Sequence, residues 1–141
     1  MTKAIAALLF FFAAGAARAQ SRIVADISNF RNNNGVCRAC LFNSGASFDS
    51  EKPLQCQQVS VTNGHAQALF ANVPPGIYAI LVFHDANNNN QLDKNFFGIP
   101  KEGYGASRNN LPFAGAPTFD ANKFEVKDGA LTTLNIRLRN L

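Results

Sequence analysis

Tryptophan is absent from this 141-residue chain, histidine occurs twice, and charged residues make up only 16% of it. Each scarcity excludes something. A zinc site built on the C-x-x-C segment would have only His65 and His84 for its second ligand pair, so the zinc signal is weak. Lysine and arginine are scattered, with no run and no basic helical face, so nothing marks a nucleic-acid surface. No stretch after residue 19 repeats its apolar residues at helical spacing, which removes helical folds and helix-borne motifs. No apolar run reaches the roughly 20 residues that a membrane-spanning helix requires. Internal repeats and linkers are missing too, so the expectation is one domain.

What is present begins with an address. Lys3 supplies a positive start, Ala4 to Ala14 an apolar centre, and Ala17-Arg18-Ala19 an A-x-A cleavage site. These predict a signal peptide over residues 1–19, with residues 20–141 as the mature domain. The protein is therefore expected to be exported, to the periplasm or beyond. The residue directly after the cleavage site is Gln20 and not a cysteine, so no lipoprotein anchor is expected. Loss of Lys3 and Arg18 lowers the formal charge from +4 to +2. The basic character of the precursor thus says little about partners. About 120 residues suffice for one proper core.

The mature chain reads as strands. Arg22 to Phe30 alternates through Ile23, Ala25 and Ile27. After a turn at Arg31-Asn32-Asn33-Asn34-Gly35, Val36 to Phe42 forms a second strand with Cys37, Ala39 and Leu41 inward, and the two make a hairpin. Asn43 to Pro53 is a loop with Phe48 plugging the sheet edge. Cys56 to Thr62 and His65 to Ala71 flank Asn63-Gly64, the strongest hairpin turn in the chain. Ile77 to Phe83 is apolar almost throughout, as in a central strand buried on both faces. Phe113 and Phe119 are expected to anchor the proline- and glycine-punctuated segment 109–121. Lys123 to Lys127 and Leu131 to Arg139 complete about seven strands, with Asp128-Gly129 between them. Short strands at this spacing predict an all-β fold, a single antiparallel β-sandwich carrying one long ordered loop.

The cysteines are Cys37, Cys40 and Cys56. In an oxidising compartment two of the three should pair. Cys37 and Cys40 sit three apart in an extended pattern, so they point to opposite faces. A Cys40–Cys56 disulfide with Cys37 as a small buried hydrophobe is expected, and Cys37–Cys56 is the alternative.

The long loop, 84–105, follows the buried strand. Asp85, Asn87, Asn89 and Asp93 occupy offsets 1, 3, 5 and 9, the spacing with which alternate side chains wrap Ca²⁺. The carbonyl of Gln91 falls at offset 7. It is not an EF-hand: Asn90 stands at offset 6 in place of glycine, Phe96 at offset 12 in place of glutamate, and a strand precedes it. With only two anionic side chains in the set, affinity is expected in the weak range of roughly 10⁻⁴ to 10⁻³ M. The competing reading is a loop held by Asx-turns without metal. Glu102 is the nearest further carboxylate. Phe96 and Phe97 are expected to pin the loop to the sandwich. His84, Glu102, Tyr104 and Ser107 are candidate loop-organising or ligand-contacting residues.

Several segments carry a resemblance: Pro74-Pro75-Gly76-x-Tyr78-Ala79, His84-Asp85-x-Asn87-x-Asn89, Leu92-Asp93-x-Asn95, Phe97-Gly98-Ile99-Pro100-Lys101-Glu102-Gly103-Tyr104-Gly105-x-Ser107 and Pro117-x-Phe119. Together they resemble the bacterial secreted family called domain of unknown function 2141. The resemblance implies an exported sandwich of the transthyretin-like kind and no established activity. Family members commonly carry glycine where this chain has Asn90, and asparagine is the residue best able to take over a positive φ. The Asp-x-Asn-x-Asn-x-x-x-Asp run is also locally similar to calcium loops in B-type repeat domains of Gram-positive adhesins. No nucleophile elbow or oxyanion-hole motif is present. Catalytic residues are therefore not expected. The expected function is a non-enzymatic binding module, its partner an envelope protein or a small ligand. The alternative is a hydrolase using His84, Glu102 and Ser107.

Overall fold

A computed structural model describes residues 20–141; the expected signal peptide lies outside the described residues. These residues form β1 (Arg22–Ser28), β2 (Val36–Phe42), β3 (Gln55–Ser60), β4 (His65–Phe70), β5 (Gly76–Asp85), β6 (Tyr104–Ala106), β7 (Phe124–Val126) and β8 (Leu131–Arg137). Two helical turns, α1 (Gly45–Asp49) and α2 (Phe119–Asn122), complete the set. Eight strands replace the expected seven. The additional one, β6, is three residues long with a central glycine, too short to show alternation.

The strands form two sheets. One has the order β4-β1-β8; the other runs β3-β2-β5-β6, with β7 also paired to β5. Each strand turns its alternate residues to a shared interior, as period-2 patterning requires. Ile23, Ala25 and Ile27 from β1 meet Cys37, Ala39 and Leu41 from β2, Tyr78, Ile80 and Val82 from β5, and Phe124 and Val126 from β7 in one buried cluster. Two facing sheets around one core make a sandwich, and β5 is its most heavily paired strand.

Three expectations about pairing are corrected. β1 and β2 are not a hairpin, since β1 pairs with β4 and β8 while β2 pairs with β3 and β5. At Asn63-Gly64, Thr62 and His65 exchange two backbone hydrogen bonds, yet β3 and β4 then part into different sheets. The fold is not wholly antiparallel either, because β1 runs parallel to β8 from Arg22 opposite Leu131 to Ser28 opposite Arg137. Turn chemistry is local, whereas the sheet a strand joins is decided by long-range packing.

The outer face of β2 and β5 is also covered. Phe42, Phe48 and Ala79 form a second small core, against which Cys40, Leu81 and Phe119 pack. Phe48 reaches it from α1, where Ser44 caps the turn by accepting from the Ser47 amide. Phe119 is the anchor expected of it, but Phe113 is fully exposed. Cys40 and Cys56 stand opposite each other on β2 and β3 and form a disulfide, while Cys37 is buried on the inner face. Burial pushes the Cys37 thiol up to about 12, so it behaves as an inert hydrophobe. Among the described residues no helix is long and apolar enough to cross a membrane.

Candidate functional site

The last two residues of β5 face opposite ways. His84 follows Ile80 and Val82 into the interior, where its ring meets Phe30 edge-on and its Nε2 donates to the Asn34 carbonyl at 2.6 Å. Asp85 points to the outer face and is fully buried by the segment that follows. The β1–β2 turn presses on this point: a Cβ on Gly35, whose φ is +63°, would lie 2.0 Å from the Asp85 carbonyl oxygen.

Asp85 is the hub of the loop. Its Oδ1 accepts from the Asn89 amide at 3.0 Å, and its Oδ2 from the Asn90 amide at 2.9 Å and from Arg38 Nε at 2.8 Å. Arg38 rises from the outer face of β2 and also donates to Asn90 Oδ1. Burial pushes the Asp85 carboxyl up, but Arg38 and the two amides outweigh it and hold the group below its ordinary value. Asn88 and Asn90 adopt positive φ, at 56° and 65°, a region that asparagine enters more readily than most residues with a side chain.

A second focus is Asp93. Asn87 Nδ2 donates to its Oδ2 at 2.8 Å and Asn89 Nδ2 to its Oδ1 at 2.7 Å. The side-chain oxygens of the same two asparagines accept from the Asn89 and Gln91 amides, as Asx-turns do. Glu102 closes the base, accepting from the Ala86 amide at 3.3 Å and the Asp93 amide at 3.2 Å. Burial raises its pKa; the Asp93 amide opposes that, and the charges of Asp93 and Asp85 add to it. Offsets 1, 3, 5 and 9 are thus brought together with Glu102, through amides as much as through carboxylates. Among the described residues no three His, Cys, Asp or Glu side chains are placed to hold a metal by themselves. A shell would need the asparagine oxygens.

Beyond Asp93 the loop becomes a small hairpin. Lys94 bridges Pro100, the Lys101 amide donates to the Asp93 carbonyl, and the Gly98 amide donates to the Asn95 carbonyl. Asn95 Oδ1 accepts from both the Phe97 and Ile99 amides. Asparagine at the first turn position and glycine at the fourth are what a tight turn favours. Phe96 and Phe97 occupy its two central positions, 97% and 82% exposed, and stack edge-to-face on each other. They do not pin the loop to the sandwich, contrary to expectation. The loop is fastened instead by Arg38, a residue passed over in the sequence as the filler of C-x-x-C. Its signal was a lone charge in an otherwise apolar strand.

Residues 25–134 match the family described as an uncharacterized protein conserved in bacteria (DUF2141). The chain belongs to that family. The match runs from Ala25 in β1 to Leu134 in β8, so the whole of the loop lies within the DUF2141 region. No curated protein and no solved structure matches the chain.

The family description names no activity, and the remaining candidates in this DUF2141 chain do not assemble into one. Ser107 is buried, accepts from the Ile80 amide at 3.0 Å and donates to the Asn122 carbonyl. His84 stands four residues further along β5, roughly 13 Å by strand rise, and faces the interior. Glu102 belongs to the loop, and Tyr104 is packed at its exit. Asn122, unnoticed in the sequence, is fully buried and holds segment 108–118: its Oδ1 accepts from the Arg108 and Asn110 amides and its Nδ2 donates to the Asn110 and Thr118 carbonyls.

Proposed function

We propose that the protein is an exported, non-enzymatic binding module whose working surface is the loop between β5 and β6, with a weak Ca²⁺ able to organise it. The observation that carries this reading is the convergence of Asn87 and Asn89 on Asp93, with Glu102 beside them. A hard cation there would draw the two amide oxygens round and neutralise the charges that raise the Glu102 pKa. Asp85 has its own counter-ion in Arg38 and contributes less. That sharing supports an affinity of roughly 10⁻⁴ to 10⁻³ M. A rigid scaffold presenting one ordered loop is the usual arrangement of a binding surface.

Calcium titration with thermal unfolding tests the cation. At a concentration about 100-fold above Kd, binding to the folded state alone adds about 2.7 kcal/mol. The melting temperature should therefore climb by several degrees at high millimolar Ca²⁺, and Asp93→Asn should abolish the rise. An unchanged melting curve removes the cation from the proposal. The hydrolase reading gains nothing from a Ser107 whose hydroxyl is already engaged on both sides.

A further inference from the structure

We infer that the tip hairpin, Lys94 to Lys101, inserts into the interfacial layer of an anionic phospholipid bilayer. The inference rests on the reading of this loop as the working surface and does not depend on the cation.

Two observations point to a lipid surface. The first is shape. Phe96 and Phe97 project from the convex end of a turn whose backbone is tied by Asn95, so both rings are held in solvent by an ordered structure. Ile99 beside them is also exposed. An aromatic side chain offers roughly 150–250 Å² for burial, so two rings fall well short of the roughly 800 Å² per partner of a stable protein interface. A soft, deformable acceptor needs no matching groove, and phenyl rings settle at the boundary between headgroups and acyl chains.

The second is charge. Lys94 and Lys101 flank the stem on the two strands of the hairpin, and both are exposed. Asp93 and Glu102, their neighbours, are turned inward to loop amides. The hairpin therefore presents an apolar point with a cationic collar, complementary to acidic headgroups. Each lysine near such a surface strengthens binding roughly fivefold.

The chain contains no tryptophan, so Phe96→Trp creates a single-site reporter. Its emission should shift to the blue on addition of phosphatidylcholine–phosphatidylglycerol vesicles, and the protein should float with them. Phosphatidylcholine alone should bind weakly. Phe96→Ser with Phe97→Ser should lower partitioning at least roughly tenfold without moving the melting temperature. Lys94→Gln with Lys101→Gln should lower it roughly 25-fold at low salt. Emission that stays at its aqueous position with both vesicle types overturns the inference, as does a blue shift produced only by an envelope protein fraction. Running each arm in EDTA and in Ca²⁺ separates the two readings. Vesicle binding in EDTA upholds the inference whatever calcium does, and a calcium-dependent melting shift without vesicle binding sinks it while sparing the cation.

Discussion

Arg38 and Asp85 show how one residue pair decides the behaviour of a loop. Asp85 has no exposed surface, and its charge is carried there only because Arg38 and two backbone amides meet it. Removing one partner of such a pair leaves a buried charge unmatched, at a cost of roughly 3 kcal/mol. Arg38→Met should lose about that much stability to urea at neutral pH. The pH dependence has a definite sign. A carboxyl whose folded pKa is depressed contributes stability above its ordinary value, here 3.8, and that stability fades as pH falls through the folded value. Wild type should therefore weaken below that point. In Arg38→Met only burial and the amides act on Asp85, so the gap between variant and wild type should narrow as the solution is acidified. A gap independent of pH would show that Arg38 acts by packing alone. This pair was beyond reach in the sequence, because its members are 47 positions apart and only the β2–β5 register brings them together.

Elements were legible to the extent that they alternate. β1 and β2 were placed with their inward residues, and β4, β7 and β8 as strands, because a half-buried strand must write period 2 into its sequence. The same rule put Cys37 and Cys40 on opposite faces and so argued against a bridge between them; of the two pairings left open, the structure has Cys40–Cys56. That bridge ties β2 to the edge strand β3 across a separation of 16 residues. Closing a loop of that size in the unfolded chain is worth about 3 kcal/mol. The Cys40→Ala, Cys56→Ala variant should lose about that amount in denaturant titration, with Cys37 still unreactive to thiol reagents in the folded state. Rapid labelling of Cys37 in the wild type would contradict its burial. What did not show was which apolar residues stay outside. Phe96, Phe97 and Phe113 look like anchors in a sequence, yet an apolar side chain is only permitted, not obliged, to be buried. Helices α1 and α2 were missed because one turn has no periodicity to read.

At the scale of the whole molecule, the sandwich and its family could be read from strand count and motif, while its wiring could not. The turns at Asn33–Gly35 and Asn63–Gly64 have hairpin composition but carry the chain from one sheet to the other. The loop gains its stiffness from this crossing. Gly35, in the first of those turns, sits against Asp85 where the loop begins, and His84 reaches back to Asn34.

The placement of β1 between β4 and β8 bears on the order in which the sheets close. β1, the first strand of the fold, pairs in parallel with β8, the eighth, across more than a hundred residues. Contacts this distant make closure late and slow. The three-stranded sheet is thus completed only after every strand of the five-stranded sheet is available. A chain ending at Ala130 should accordingly show no cooperative thermal transition by circular dichroism. If it melted cooperatively, the three-stranded sheet would not be the late step.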